Sequence, residues 1–165
     1  MSNECDRAAL IKKACERLQE ITPLRQADCG ELCGKACCGG RESVGMELVP
    51  GEELLMKGID GFQVVSDGGR NILLCGGICH RDKRPFACRI FPLVPIWEEC
   101  RFQVVFDPGS ASMCPLQGQD DYLGDFRMAV SEAVGLLSSD TEIHHWFLEK
   151  SAFLSEMREL VKKLG

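Results

Sequence analysis

Hydrophobic positions change period along this chain, and the changes divide it into a helical start, a β-rich middle and a helical end. Ala8, Leu10, Ile11, Ala14, Leu18 and Ile21 recur at near-helical spacing. They predict a helix from Asn3 to Ile21, with Asn3 as N-cap and Pro23 as the stop. Ala27 to Gly40 holds four glycines and a run of cysteines, which predicts a loop with room for one helical turn. Met46 to Val49 reads as a short strand. Pro50-Gly51-Glu52-Glu53 then opens a short helix carrying Leu54, Leu55 and Met56, with Pro50 near its start.

Phe62 to Val65 and Asn71 to Leu74 are β-rich runs around Asp67-Gly68-Gly69, a hairpin signal whose second strand runs into Cys75. Arg84 to Pro92 is a compact segment bracketed by Pro85 and Pro92. Ile96 to Trp97 and Arg101 to Phe106 predict a second hairpin turning at Glu98-Glu99, and Asp107-Pro108-Gly109 closes the β region. One helix is expected from Asp120 to Leu137. Another starts at the capping box Ser139-x-x-Glu142, with Ile143, Phe147, Phe153, Leu154, Met157, Leu160, Val161 and Leu164 as its apolar face.

Composition narrows the class. The chain has 165 residues, 45% hydrophobic and 27% charged, which suits one soluble domain with a real core. A net charge of −6 argues against nucleic acid as a partner. No apolar stretch approaches the roughly 20 residues that span a bilayer, so no membrane association is expected. Met1-Ser2-Asn3-Glu4-Cys5-Asp6 lacks the basic and apolar parts of a signal peptide, and the expected location is the cytoplasm.

That location decides how the eleven cysteines are interpreted. In a reducing compartment, clustered thiols ligate metal or do redox chemistry more often than they form disulfides. Eight fall into two groups: Cys29-x3-Cys33-x3-Cys37-Cys38, and Cys75-x3-Cys79-x8-Cys88 with Cys114 downstream. Thiolates are soft ligands for zinc, copper(I) or iron–sulfur clusters. The spacing departs from the C-x2-C pairs of zinc ribbons and from both ferredoxin patterns. A C-x3-C bite is compatible with a cubane, whose irons lie further apart than ligands around one zinc.

Adjacent side chains diverge, by about 180° in a strand and about 100° in a helix. Cys37 and Cys38 therefore hold one small ion only with strain. Three arrangements stay open: one member in the core, the pair serving two neighbouring sites, or both holding different irons of one cluster. The expected arrangement is that the two groups fold onto each other, sharing one composite site or two adjacent ones. Gly30, Gly34, Gly39, Gly40, Gly76 and Gly77 give the backbone freedom to turn amides toward sulfur. His80 to Arg89 carries four cations and one acid, a local positive charge that suits an anionic thiolate centre. Arg84 and Arg89, flanking Pro85 and Cys88, are candidates to brace the site, since a guanidinium offers up to five donors in a planar fork.

The first cysteine group, the Pro50-Gly51-Glu52 helix start, Cys79 and Arg84-Pro85-x2-Cys88-Arg89-x2-Pro92 together resemble the YkgJ-type cysteine-cluster family, over roughly Cys29 to Cys114. That family is described as a zinc- or iron-chelating domain. A related cysteine region occurs in flagellin lysine N-methylase, which is associated with an iron–sulfur cluster. This chain has no recognisable S-adenosylmethionine site, so the methylase activity is not carried over. The resemblance implies cysteine-bound metal, iron–sulfur in preference to zinc, and supports Cys114 as a ligand.

The remaining candidates take plainer readings. Cys5 and Cys15 lie about 280° apart around the first helix and are core or surface thiols. Cys100 is a packing residue in its hairpin. His80 is a hydrogen-bonding neighbour rather than a ligand, and His144-His145 are exposed polar surface. The methionines are core filler and Trp97 and Trp146 packing anchors. No nucleotide loop, Ser-His-Asp order or catalytic carboxylate pair stands out.

The expected fold is α+β: small antiparallel hairpins around a cysteine-bound metal, packed by an N-terminal helix and two C-terminal helices. It forms one domain over 1–165, with a metal-site core at 27–115 and a helical part at 118–164. The expected ligands are Cys29, Cys33, Cys37, Cys38, Cys75, Cys79, Cys88 and Cys114, holding an iron–sulfur cluster (4Fe–4S preferred) or zinc. Three uses stay open: redox or accessory work, a zinc-stabilised structural or interaction module with a protein partner, and an enzyme whose substrate site is not visible in the sequence.

Overall fold

The computed structural model describes residues 3–25, 27–38, 45–77, 80–119 and 123–164. It has an α+β fold with an N-terminal helix, two small antiparallel sheets and two C-terminal helices. Helix α1 spans Glu4–Arg17, and Asn3 caps it as expected. Asn3 and Asp6 close a reciprocal box, the Asn3 side chain accepting from Asp6 N and the Asp6 side chain from Asn3 N. The helix stops short of Ile21. The chain instead turns through Thr22 and Arg25, whose backbones pair with each other.

Next come α2 (Cys29–Cys33), a short 3-10 turn (Ala36–Cys38), β1 (Met46–Glu47) and α3 (Glu53–Met56). Strands β2 (Phe62–Asp67) and β3 (Arg70–Cys75) pair antiparallel with Asp67 opposite Arg70. The two-residue loop between them is Gly68-Gly69, with φ of 55° and 80°. Two positive φ values match the twist of a tight hairpin, and glycine adopts them without strain. β1 adds to the free side of β3.

Helix α4 (Phe86–Ile90) precedes the second hairpin, β4 (Leu93–Glu98) with β5 (Arg101–Phe106). Its turn is Glu99-Cys100 rather than Glu98-Glu99, because Glu98 pairs with Arg101. Both turn residues have positive φ, 51° and 60°. Cys100 is thus an exposed turn residue, not the packing residue its position suggested. Asp107 starts a 3-10 helix (Pro108–Ser112), its Oδ1 accepting from Gly109 N at 2.7 Å.

Helices α5 (Gly124–Leu137) and α6 (Thr141–Leu164) complete the chain. The predicted start at Asp120 lies outside the described residues. At α6 the cap is Asp140 and not Ser139. Asp140 Oδ1 accepts from Glu142 N and Ile143 N at 3.0 Å each, while Ser139 Oγ donates back to Leu136 O. The predicted apolar face of α6 divides in two. Ile143 and Phe147 are buried, whereas Phe153, Leu160 and Val161 are exposed. The Leu164 side chain lies outside the described residues.

The main core joins α1, α4, both strands of the second hairpin, α5 and the first half of α6 through Ile11, Leu18, Phe86, Leu93, Val130 and Phe147 among others. A second, smaller core of Leu48, Met56 and Leu73 holds the three-stranded sheet to α3. His144 is partly buried, edge-on to Trp97 and Phe102, where solvated surface was expected; His145 is exposed. Trp146 anchors as predicted, its Nε1 donating to Glu47 Oε1 at 3.0 Å. Of the methionines, Met56 is core, but Met113 and Met128 are exposed. Among the described residues, no helix is long and apolar enough to cross a membrane.

Candidate metal centre

The first cysteine group is built by a one-turn helix and a reversal. Asp28 caps α2, its side chain accepting from Gly30 N at 3.0 Å. Cys29 and Cys33 then stand four residues apart on one helix face, and the Cys33 Sγ lies 3.7 Å from Cys29 O. This is the structural meaning of the C-x3-C spacing. Gly34 and Lys35 follow with φ of 60° and 59°. Two left-handed residues in succession reverse the chain, and glycine accepts the first without steric penalty. The 3-10 turn carrying Cys37 and Cys38 is thereby folded back toward α2, with Cys38 N bonded to Lys35 O at 2.7 Å.

The second group is delivered by three separate segments. Cys75 ends β3, opposite Phe62. Cys88 sits in α4, and Cys114 follows the Pro108–Ser112 helix, its N–H bonded to Ser110 O at 2.8 Å. Cys79 lies outside the described residues. Cys29, Cys33, Cys37, Cys38, Cys75, Cys88 and Cys114 all line one cavity of about 760 Å³. Arg81, Arg84 and Arg89 line it too, with an apolar wall that includes Met46, Phe62, Leu73, Phe91 and Met113. The described members of both sequence groups thus share one cavity lining. Cys5, Cys15 and Cys100 are not among the lining residues, and His80 is exposed.

Electrostatics ties part of this set together. Burial pushes the Cys29 thiol up, as do the neighbouring charges of Asp28, Cys33 and Cys114, while Arg84 opposes them. Cys37 and Cys38 share a hydrogen bond. It raises Cys37 strongly and lowers Cys38, which Arg84 and Lys35 lower further. One thiol of the adjacent pair therefore gives up its proton readily at the expense of the other. Burial pushes the Cys114 thiol up, with the nearby backbone amides of Leu116 and Gln117 opposing; the Gln117 N–H itself donates to Cys114 O at 3.2 Å.

Several thiols from distant segments line one cavity, and cations stand beside them. Set against this, no three of the described His, Cys, Asp or Glu residues are gathered closely enough to hold a single ion. The ten described cysteines are all free thiols. The donor set has the chemistry of a thiolate centre, while its cysteines are spread around the cavity walls rather than gathered about one point.

The arginines do more bracing of backbone than the sequence foretold. Arg81 donates to the carbonyls of Leu18, Gln19 and Ile21 at 2.6, 2.7 and 2.5 Å. It closes the C-terminal end of α1, where carbonyls lack helical partners. Arg89 is buried, 4% exposed. Its Nε donates to Arg84 O at 2.8 Å and its Nη1 to Gln19 Oε1 at 2.7 Å. The charge of Arg84 reaches Cys29 and Cys38, and Arg81 interacts with Cys29 as well.

Sequence reasoning missed Glu52, which is fully buried. Its position in Pro50-Gly51-Glu52-Glu53 suggested only a helix-start acid. Burial pushes its carboxyl up to about 7, against two backbone hydrogen bonds and the charge of Arg89. Comparison with protein-family models, curated proteins and solved structures finds no match to this chain.

Proposed function

We propose that this chain holds a cysteine-ligated metal centre, an iron–sulfur cluster in preference to zinc, and uses it in redox or accessory work. The observation that carries the reading is the single cavity lined by seven cysteines from distant parts of the sequence. Packing gives no reason for that convergence, because thiols buried singly serve a core equally well. Cys29, Cys33, Cys37, Cys38, Cys75, Cys88 and Cys114 would supply the ligands, and Cys79 stands four residues from Cys75 in sequence.

The preference for iron–sulfur rests on breadth and charge. A structural zinc needs four ligands at about 2.0–2.3 Å from one point, whereas these sulfurs surround a cavity of about 760 Å³. The flanking arginines oppose the negative charge of a thiolate-held cluster and favour its reduced form. When bound, such a cluster supplies one-electron redox chemistry. The protein's own part is to exclude water with its apolar wall and to orient sulfurs with α2 and α4. The resemblance to the YkgJ-type family points the same way. A zinc-stabilised structural module is the second reading, favoured by the small core beneath the three-stranded sheet, which a structural ion would reinforce.

Anaerobic purification with iron, zinc and acid-labile sulfide analysis tests both. The expected product is brown, with iron and sulfide in comparable amounts and broad visible absorption. A colourless protein carrying stoichiometric zinc would transfer the centre to the second reading. A chain that binds neither overturns both.

A further inference from the structure

The buried carboxylate of Glu52 joins two segments that the chain keeps far apart. Oε2 accepts from Val49 N at 3.0 Å, and Oε1 accepts from Phe86 N at 2.6 Å. Phe86 opens α4, whose N-cap is Pro85, and Pro85 makes no side-chain cap bond. Proline has no side-chain acceptor to give. The first amides of a helix need partners from outside it, and Phe86 is 1% exposed, so water is a poor candidate. Glu52 does from another segment what a Ser or Asp cap does locally.

Its neighbour marks the contrast. Glu53 Oε2 accepts from Gly51 N at 3.0 Å, a bond confined to its own turn. Helix α4 has only five residues; Glu52 holds its first amide, while Phe86 and Ile90 in the main core and the bonds of Arg89 hold the rest of the turn. Cys88 and Arg89 follow Phe86 by two and three residues, and the phase of that turn directs both side chains. Burying an ionisable group opposes folding unless its partners compensate. A carboxylate held here by two amides is accounted for by the orientation it imposes.

We propose that Glu52 is a positioning residue for the cysteine centre, capping α4 from outside and fixing the direction in which Cys88 presents its sulfur to the cavity. Its consequence for metal rests on the function proposed above, while the capping geometry stands apart from it.

The test compares wild type with Glu52→Gln, Glu53→Gln and Val130→Ala. Glu52→Gln keeps size but turns an amide group toward an N–H that Glu52 accepts from. Val130→Ala opens a cavity in the fully buried core of α5 and serves as a destabilised control. Each protein is reconstituted anaerobically with ferrous iron and sulfide and, separately, titrated with zinc. Hydrogen exchange at Phe86 is read relative to the α5 amides of the same chain.

Expected for Glu52→Gln are faster relative exchange at Phe86 and a loss of metal retention of about tenfold or more, the scale seen when a ligand-supporting partner is removed. Glu53→Gln and Val130→Ala should retain metal, even where Val130→Ala melts as low as Glu52→Gln. Unchanged uptake or unchanged Phe86 protection in Glu52→Gln, while wild type binds metal, removes the role of Glu52 alone. Equal metal loss in Val130→Ala and Glu52→Gln reduces that role to stability and overturns the proposal. A wild-type chain that takes up neither iron nor zinc overturns the centre itself, whatever the exchange at Phe86 shows.

Discussion

Two thiols on α1 meet different surroundings. Cys5 is exposed. Cys15 packs against the main core, where burial first and the Glu52 charge second push its thiol up to about 12, with Arg89 opposing. The thiolate is the reactive form. Iodoacetamide at neutral pH should therefore label Cys5 and the exposed turn residue Cys100, and leave Cys15 unmodified in the folded chain. Peptide mass spectrometry reads this directly, and Cys15 labelled as fast as Cys5 would contradict it. The sequence predicted that the two thiols do not face each other, since helical phase follows from spacing. It left core and surface open for both, because the face of α1 that is covered depends on where α5 packs.

At the scale of elements, residue chemistry located most helices and strands but misplaced their edges where two residues could do one job. Ser139-x-x-Glu142 has the letters of a capping box, yet Asp140 accepts from the first amides of α6. Asp140 also lies near the buried Arg7, 4.0 Å from Nε. Asp140→Ala should destabilise the protein by about 1–2 kcal/mol in urea unfolding, the range for loss of an N-cap. Ser139→Ala should stay within about 0.5 kcal/mol. The reverse order would restore the Ser139 box. The second hairpin moved by one residue for a related reason. Pairing of Glu98 with Arg101 leaves Glu99 and Cys100 in the turn, and both take positive φ although neither is the Asn or Gly that such turns favour.

At the scale of the molecule, the cavity lies where the three-stranded sheet meets the main body. Met46, Phe62, Leu73 and Cys75 line it from one side, and Cys88, Phe91 and Cys114 from the other. The sheet side rests on a core of only Leu48, Met56 and Leu73 with a few partly buried neighbours. Metal binding couples to folding where the unfolded chain has no preformed site. On the function proposed above, anaerobic removal of the metal should therefore lower Tm by many degrees. It should speed hydrogen exchange in β1, β2 and β3 before it affects α1 and α5, because local opening follows local packing. Cys88→Ser should act in the same direction and Cys5→Ser should not. An apo-protein that melts like the metal-bound form, with the sheet still protected, would separate the centre from the fold.

The sequence by itself determined the α+β class, the order of helices and hairpins, the Asn3 cap, the Gly68-Gly69 turn and the seven described members of the predicted cysteine set, which line one cavity. These are local properties: hydrophobic period, turn chemistry and ligand type are written in neighbouring residues. Only the tertiary structure decided which segments bring Cys75, Cys88 and Cys114 to the cavity lined by the first group, that Arg81 closes the end of α1, and that Arg89 braces Arg84 and Gln19. Glu52 is the sharpest case. Beside Glu53 it looks like one of two equivalent helix-start acids, and the difference between them is a bond to Phe86, 34 residues onward. Periodicity carries no information about such a pairing, because it depends on which surfaces are buried against each other, and that is settled only when the chain closes on itself.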